Sequence, residues 1–343
     1  MKQLLFIYLT FISYYCLGQN NEVVIKGKIK GTVPEKIGYS IPVQGKYFWN
    51  FAKYIQPDSL GCFQISFKIE YPCFVNIYKT EANPSIIVEP NKTYEIEIDQ
   101  NSHEVNIISS IKTIQEFYSG LLRLNPRACD NPISSDTSDI NIIIVKLNRK
   151  LQEEISNFSN SYSKNEITEE IYELLKLDRE VYYKSAQATL AAKNYIKTKN
   201  DKVGSKKMLE LMGNTVQSIS LTNPYFLRAN YAYDFISLYI EYNSFNMLYN
   251  KEYSETYHKI SNDYLQKDLR HHRDLYLAEQ FLTGEILEFY KASYLHLNSF
   301  RDSKEILSLL EKFQIDYPES IYHSFLESKM NDLSERLRHL EKN

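Results

Sequence analysis

The sequence predicts an α+β protein, with an N-terminal antiparallel β-sandwich followed by an all-α helical domain. Three observations predict it. Apolar residues alternate with a period of two up to about residue 108, and from residue 111 onward they recur at spacings of three and four. The breaks in the first region are short turn-formers with no room for the helical crossovers that parallel strands need. The expected boundaries are 1–18 for a leader, 19–108 for the strands and 109–343 for the helices.

Lys2 followed by an apolar run from Leu4 to about Ile12 has the pattern of a secretory signal, too short for a membrane span. Cleavage after Gly18 is expected, with soluble export favoured over lipidation at Cys16 because bulky Tyr15 precedes it. Next, "EVVIKGKIK" alternates apolar and polar residues. "GCFQISFKI" sets Phe63, Ile65, Phe67 and Ile69 on one face, and "CFVNIYK", "PSIIVEP" and "TYEIEID" follow as further short strands. The breaks are "PDSLG", "YP", "EANP" and "PNK".

Past residue 111, Ile140, Ile144, Leu147, Leu151, Ile155 and Phe158 form one helical stripe. A second helix is expected over about 166–197, its small-residue stretch "SAQATLAA" admitting a close neighbour. Further helices are expected over about 204–218, 224–249, 253–267, 272–298 and 303–315, and a last one starting at Asp316–Pro318. That last helix carries an apolar seam of Leu326, Met330, Leu333, Leu337 and Leu340. Residues 125–139, rich in Pro, Ser and Asp, read as a link between two helices. One helix–turn–helix of tetratricopeptide type is visible over 303–340, where a solenoid needs about three.

Forty basic against 43 acidic residues, a net charge of −3, offer no footprint for nucleic acid. The 29 Tyr and 17 Phe read mainly as half-buried packing, with an aromatic groove for a partner as the alternative. With only 10 Gly, the chain has no Walker loop, dinucleotide fingerprint or G-x-S-x-G elbow. His271 and His272, with Glu279 beyond, are the one candidate metal cluster, but adjacent helical side chains diverge by about 100°. A solvated helix face is the expectation. Glu153–Glu154 and Glu169–Glu170 read as solubilising pairs rather than an acid/base couple. No catalytic, metal or cofactor residues are therefore assigned, and no cofactor is expected. Export would leave Cys62, Cys73 and Cys129, an odd number without a C-x-x-C pair. Cys62 and Cys73 read as small buried hydrophobes and Cys129 as a possible free thiol.

Asp58, Gly61 and Phe63 form a D-x-x-G-x-F pattern, Pro90–Asn91 a turn before the last strands, and "LLEKFQIDYPESIYHSFLESKMNDL" a closing helical segment. With the leader, this order resembles the N-terminal part of exported TlpA-like thiol–disulfide oxidoreductases of Gram-negative bacteria. The resemblance implies a small sandwich with a hairpin at Asp58, Gly61 and Phe63. In that family a thioredoxin fold with W-C-x-x-C follows; here that motif is absent, so the family's catalytic cysteines have no counterparts. The expected function is an exported, non-catalytic binding or assembly module in the periplasm or cell envelope, with a protein partner. Two alternatives stand beside it. One is the non-catalytic part of an oxidoreductase whose thioredoxin domain is lost or encoded separately. The other is a surface protein binding glycan or peptide.

Overall fold

The computed structural model describes residues 21–49, 51–109, 111–121, 125–127 and 139–342; the expected leader and Cys129 lie outside them. The α+β class holds, with two four-stranded sheets followed by helices. The chain divides into two units, Met1–Gly45 with Phe51–Leu121, and Lys46–Asn50 with Leu122–Asn343. The division thus falls after residue 121 rather than at 108, and a short stretch between two strands belongs with the helices.

In the first unit, β1 (Glu22–Lys30), β4 (Cys62–Lys68), β7 (Thr93–Asp99) and β8 (Val105–Ile108) form one sheet in the order β4-β1-β7-β8. The other, in the order β3-β2-β5-β6, contains β2 (Ile37–Ser40), β3 (Lys53–Ile55), β5 (Cys73–Tyr78) and β6 (Ser85–Val88). The alternation read from the sequence places Val23, Ile25, Ile65, Tyr94 and Ile96 of the first sheet in one core with Ile37, Val75, Ile77 and Ile86 of the second. One pairing departs from the antiparallel expectation: β1 and β7 run parallel, with Ile25 opposite Tyr94 and Ile29 opposite Ile98. No helix is needed for that crossover, because the chain visits the other sheet between the two strands.

The Asp58 motif has a local physical cause. Asp58 Oδ1 accepts from the amides of Leu60 (2.9 Å) and Cys62 (2.8 Å), and the Gly61 amide donates to the Asp58 carbonyl (2.9 Å). Gly61 has φ +77°, and a Cβ there would stand 2.5 Å from the Ile29 carbonyl oxygen. Phe63 then lies over Gly27, where a Cβ would meet its ring. The turn is tight, but β3 before it and β4 after it belong to different sheets, so it passes the chain between sheets instead of joining a paired hairpin. Cys62 is exposed on β4 while Cys73 is buried in β5.

Helix α1 (Lys112–Ser119) completes this unit against β6 and β8. Its buried Gln115 acts as a substitute strand: Oε1 accepts from the Ile87 amide (2.9 Å) and Nε2 donates to the Ile87 carbonyl. Tyr118 stacks on Phe74 at 5.0 Å.

The second unit contains α2 (Ile140–Ser163), α3 (Glu169–Lys197), α4 (Lys202–Val216), α5 (Ala232–Tyr249), α6 (Lys251–Leu265), α7 (Arg270–Phe281), α8 (Gly284–Asn298), α9 (Lys304–Asp316) and α10 (His323–Leu340). Asp139, Thr168, Asp201 and Ser303 cap α2, α3, α4 and α9 through side-chain oxygens. Three expected boundaries move. The stretch 272–298 is two helices, broken at Leu282 and Thr283, whose backbones are extended. Over 224–249, a 3-10 turn at Phe226–Arg228 precedes α5. Pro318 lies in the turn after α9, and α10 starts at His323. On α10, Leu326 and Leu333 are buried, whereas Leu340 is exposed.

Where the sequence shows one helix pair, the structure places three in succession, α5–α6, α7–α8 and α9–α10. Their first helices begin at residues 232, 270 and 304, and links of one to six residues join consecutive helices. Each first helix packs on its own partner and on the first helix of the next pair, and each second helix packs on the following first helix, as in a stacked helical array. The repeat is masked in sequence because each pair uses different residues at equivalent positions.

Glu154 corrects the solubilising reading of its pair. It is buried on α2 and accepts from Arg179 Nε (2.6 Å) and the Tyr183 hydroxyl (2.6 Å), both on α3. Arg179 is fully buried, with Tyr182 (4.4 Å) and Tyr183 (5.3 Å) against its guanidinium. Glu170 pairs with Arg228 (3.1 Å).

Two stability predictions follow from these contacts. Glu154→Ala leaves a buried guanidinium without its counter-charge and is expected to lower unfolding free energy by about 3–5 kcal/mol in urea titrations. Gly61→Ala is expected to cost about 1–3 kcal/mol by the same measurement, because it forces a left-handed residue against the Ile29 carbonyl.

Candidate functional site

The helical unit carries a cleft of about 90 Å³ where α6, α7, α8 and α9 meet. Leu275, Leu295, Leu309 and Phe313 are buried in its walls, and Tyr264, Tyr276 and Tyr317 bring aromatic rings to it. A larger hollow of about 530 Å³ in the sheet unit is walled by loop and strand-end groups such as Asn21, Gln44, Lys68 and Glu70. The larger hollow sets the single ring of Tyr71 and Ile69 beside Lys68 and Glu70, whereas the smaller helical cleft gathers three tyrosine rings over a floor of four buried apolar side chains.

Its charged side chains are engaged with neighbours. Glu305, in the first turn of α9, accepts from the His272 backbone amide (2.8 Å) and lies 2.9 Å from His272 Nδ1. One carboxylate thereby satisfies an amide at the start of α7, where the helix dipole favours negative charge. Lys291 lies 2.6 Å from Glu279 and 5.1 Å from the centre of the Tyr317 ring. Burial lowers its pKa, but the hydrogen bond to Glu279 and its charge prevail, so the ammonium is held above its ordinary value. Lys312 pairs with Asp316 at 2.9 Å.

The adjacent histidines diverge, as helical geometry requires, but neither stands on a solvated face. His272 turns to Glu305, while His271 Nδ1 lies 2.8 Å from the Tyr294 hydroxyl. Tyr294 donates its one proton to Asp274 Oδ2 (2.9 Å), so the His271 Nδ1–H is the donor to Tyr294. Burial holds the His271 imidazole below its ordinary value. Glu279, the third residue of the sequence cluster, is committed to Lys291. Among the described residues, no group of three or more His, Cys, Asp or Glu side chains is placed to hold a metal ion.

A second feature lay outside the sequence reading. Tyr47, Phe48 and Trp49, three consecutive aromatics between β2 and β3, sit in the helical unit. Phe48 is buried against Phe289 (5.2 Å), Tyr322 (5.3 Å) and Phe325 (4.6 Å). The Tyr47 amide donates to the Leu227 carbonyl (3.3 Å), His296 Nε2 donates to the Trp49 carbonyl (3.0 Å), and Lys46 pairs with Glu285. Three aromatics in a row inside a strand-to-strand connection were the available signal, since a solvated loop has no use for them.

No protein-family model, curated protein or solved structure matches the chain. Among the described residues, no helix is long and apolar enough to cross a membrane.

Phe48→Ala removes the ring at the centre of this aromatic seat. It is expected to destabilise the protein by about 3–5 kcal/mol, seen as a lowered denaturation midpoint in guanidinium.

Proposed function

We propose that the chain is an exported, non-catalytic binding or assembly module, related to the N-terminal region of TlpA-like oxidoreductases, that engages a protein partner in the periplasm or cell envelope. The observation that carries this reading is the α6–α9 cleft. Its aromatic rings and apolar floor suit a peptide side chain, while its charges are tied in the pairs His272–Glu305, Lys291–Glu279 and Lys312–Asp316. Groups held this way can orient a ligand's polar atoms but are poorly placed to exchange protons with it. The order of sandwich and helical array supports the relation to the TlpA-like region, and the apolar run near Lys2 supports export. The tyrosines of the cleft favour a peptide over a glycan as the second reading, because the floor beneath them is apolar.

The test has two arms. In a thiol–disulfide exchange assay the purified protein is expected to be inactive, and turnover that survives Cys129→Ser would overturn the non-catalytic reading. A photo-crosslinker at Tyr276 is expected to capture a discrete envelope protein, with capture reduced at least tenfold by Phe313→Ala in folded protein. Capture that is indifferent to Phe313→Ala removes the cleft from the proposal.

A further inference from the structure

The α6–α9 cleft already holds one ammonium group away from water. Lys291 is 7 % exposed, and its Nζ lies 2.6 Å from Glu279 Oε1 and 5.1 Å from the centre of the Tyr317 ring. A carboxylate oxygen and the face of an aromatic ring are what a cation needs once it loses its hydration. Both occur a second time among the residues that line the cleft. The Glu279 side chain is 37 % exposed, and its Oε2 has no hydrogen-bond or ion-pair partner among the described residues. Glu279 follows Tyr276 by three residues on α7, which puts the two on one face of the helix. The Tyr264 and Tyr276 rings are 5.8 Å apart, and among the described residues no lysine or arginine stands over either.

The floor and the charges define what a second cation would carry. A dry cavity of about 150 Å³ holds a benzene molecule, so the 90 Å³ of the cleft has room for about three or four carbons. That matches the four-carbon stem of lysine. A leucine or valine side chain fits the same space but brings no charge to Glu279 Oε2 or to the two rings. Apart from the His272 imidazole, the carboxylates of Glu279, Glu305 and Asp316 face only the ammonium groups of Lys291 and Lys312. One further cation balances the set.

We infer that the cleft takes the side chain of a lysine from its peptide partner, with the stem on the apolar floor and the ammonium between Glu279 Oε2 and the Tyr264 and Tyr276 rings. This names the anchor of the partner and rests on the reading of the cleft as the peptide site. Lys312, with a side chain 58 % exposed and 2.9 Å from Asp316, is then the competing charge at the mouth.

Two probes isolate the ammonium: lysine amide and norleucine amide, each acetylated at its α-nitrogen, which differ only in that group. They are titrated into the tyrosine-labelled full chain at about pH 8, above the ordinary imidazole range, and followed by the ring resonances of Tyr264, Tyr276 and Tyr317. The lysine amide is expected to bind about fivefold more tightly than the norleucine amide. Tyr276→Leu keeps an apolar wall but removes a ring face; it is expected to weaken the lysine amide about two- to fivefold and to leave the norleucine amide nearly unchanged. Lys312→Gln, an exposed change, is expected to strengthen the lysine amide by about the same factor. Equal affinity for the two amides would overturn the inference while leaving the cleft a side-chain site. Weaker binding of the lysine amide to Lys312→Gln would overturn it as well. Binding of neither amide would overturn the inference and the reading of the cleft together.

Discussion

The helical unit depends on a charge placed where water cannot reach it. Arg179 lies in the middle of α3, which packs against α2, α4 and α5, and its guanidinium is fully buried. An isolated buried charge is too costly to persist, so the surrounding residues are constrained to answer it. Glu154 supplies the counter-charge from α2, Tyr183 binds the same carboxylate, and Tyr182 lies against the guanidinium. The adjacent residue, Asp178, accepts from the Asn230 backbone amide just ahead of α5. The rotation of α3, the approach of α2 and the starting point of α5 are therefore set together. The small residues of the 185–192 stretch, largely buried, then let neighbouring helices close on α3.

From α5 onward the geometry becomes repetitive, and that repetition builds the cleft. Stacking one helix pair on the next brings α7 and α9 side by side with α8 beneath them, as neighbour-to-neighbour packing dictates. A cleft between consecutive pairs then draws residues from four helices without any long-range connection in sequence. Its polar groups settle into pairs across helices, as Glu305 of α9 does with the start of α7.

Much of this was legible in the residues. The alternation of Val23, Ile25 and Ile29 located β1, the stripe through Leu147, Leu151 and Phe158 located α2, and Gly61 marked a turn that needs a left-handed residue. What escaped was information held between elements. The parallel match of β1 with β7 depends on which strands meet in space, and alternation is the same in either direction. Glu154 and Glu153 are identical by composition, and only the position of Arg179 one helix later decides which is buried. The break at Leu282 and Thr283 carries only a Thr-Gly signal inside an otherwise helical pattern, and Phe48 was hidden by its place in a strand connection. For the cleft, Tyr264, Tyr276 and Tyr317 stand apart in the sequence, and their convergence required the stacking of the pairs.

The amide of Gln115 has a consequence for how copies of this chain meet one another. By occupying the Ile87 backbone groups, it closes the β6 side of its sheet to any incoming strand. The opposite border, β3, is three residues long, and its Tyr54 ring stands beneath Lys36 and Lys79 at 5.4 and 4.7 Å. Short length and lysine charge make that border a poor template for growth. The other sheet is bordered by β4, seven residues with outward Gln64, Ser66 and Lys68, where a single lysine stands guard at the end of the strand. Edge-to-edge polymerisation of this protein is thereby disfavoured at both borders of the β3-β2-β5-β6 sheet.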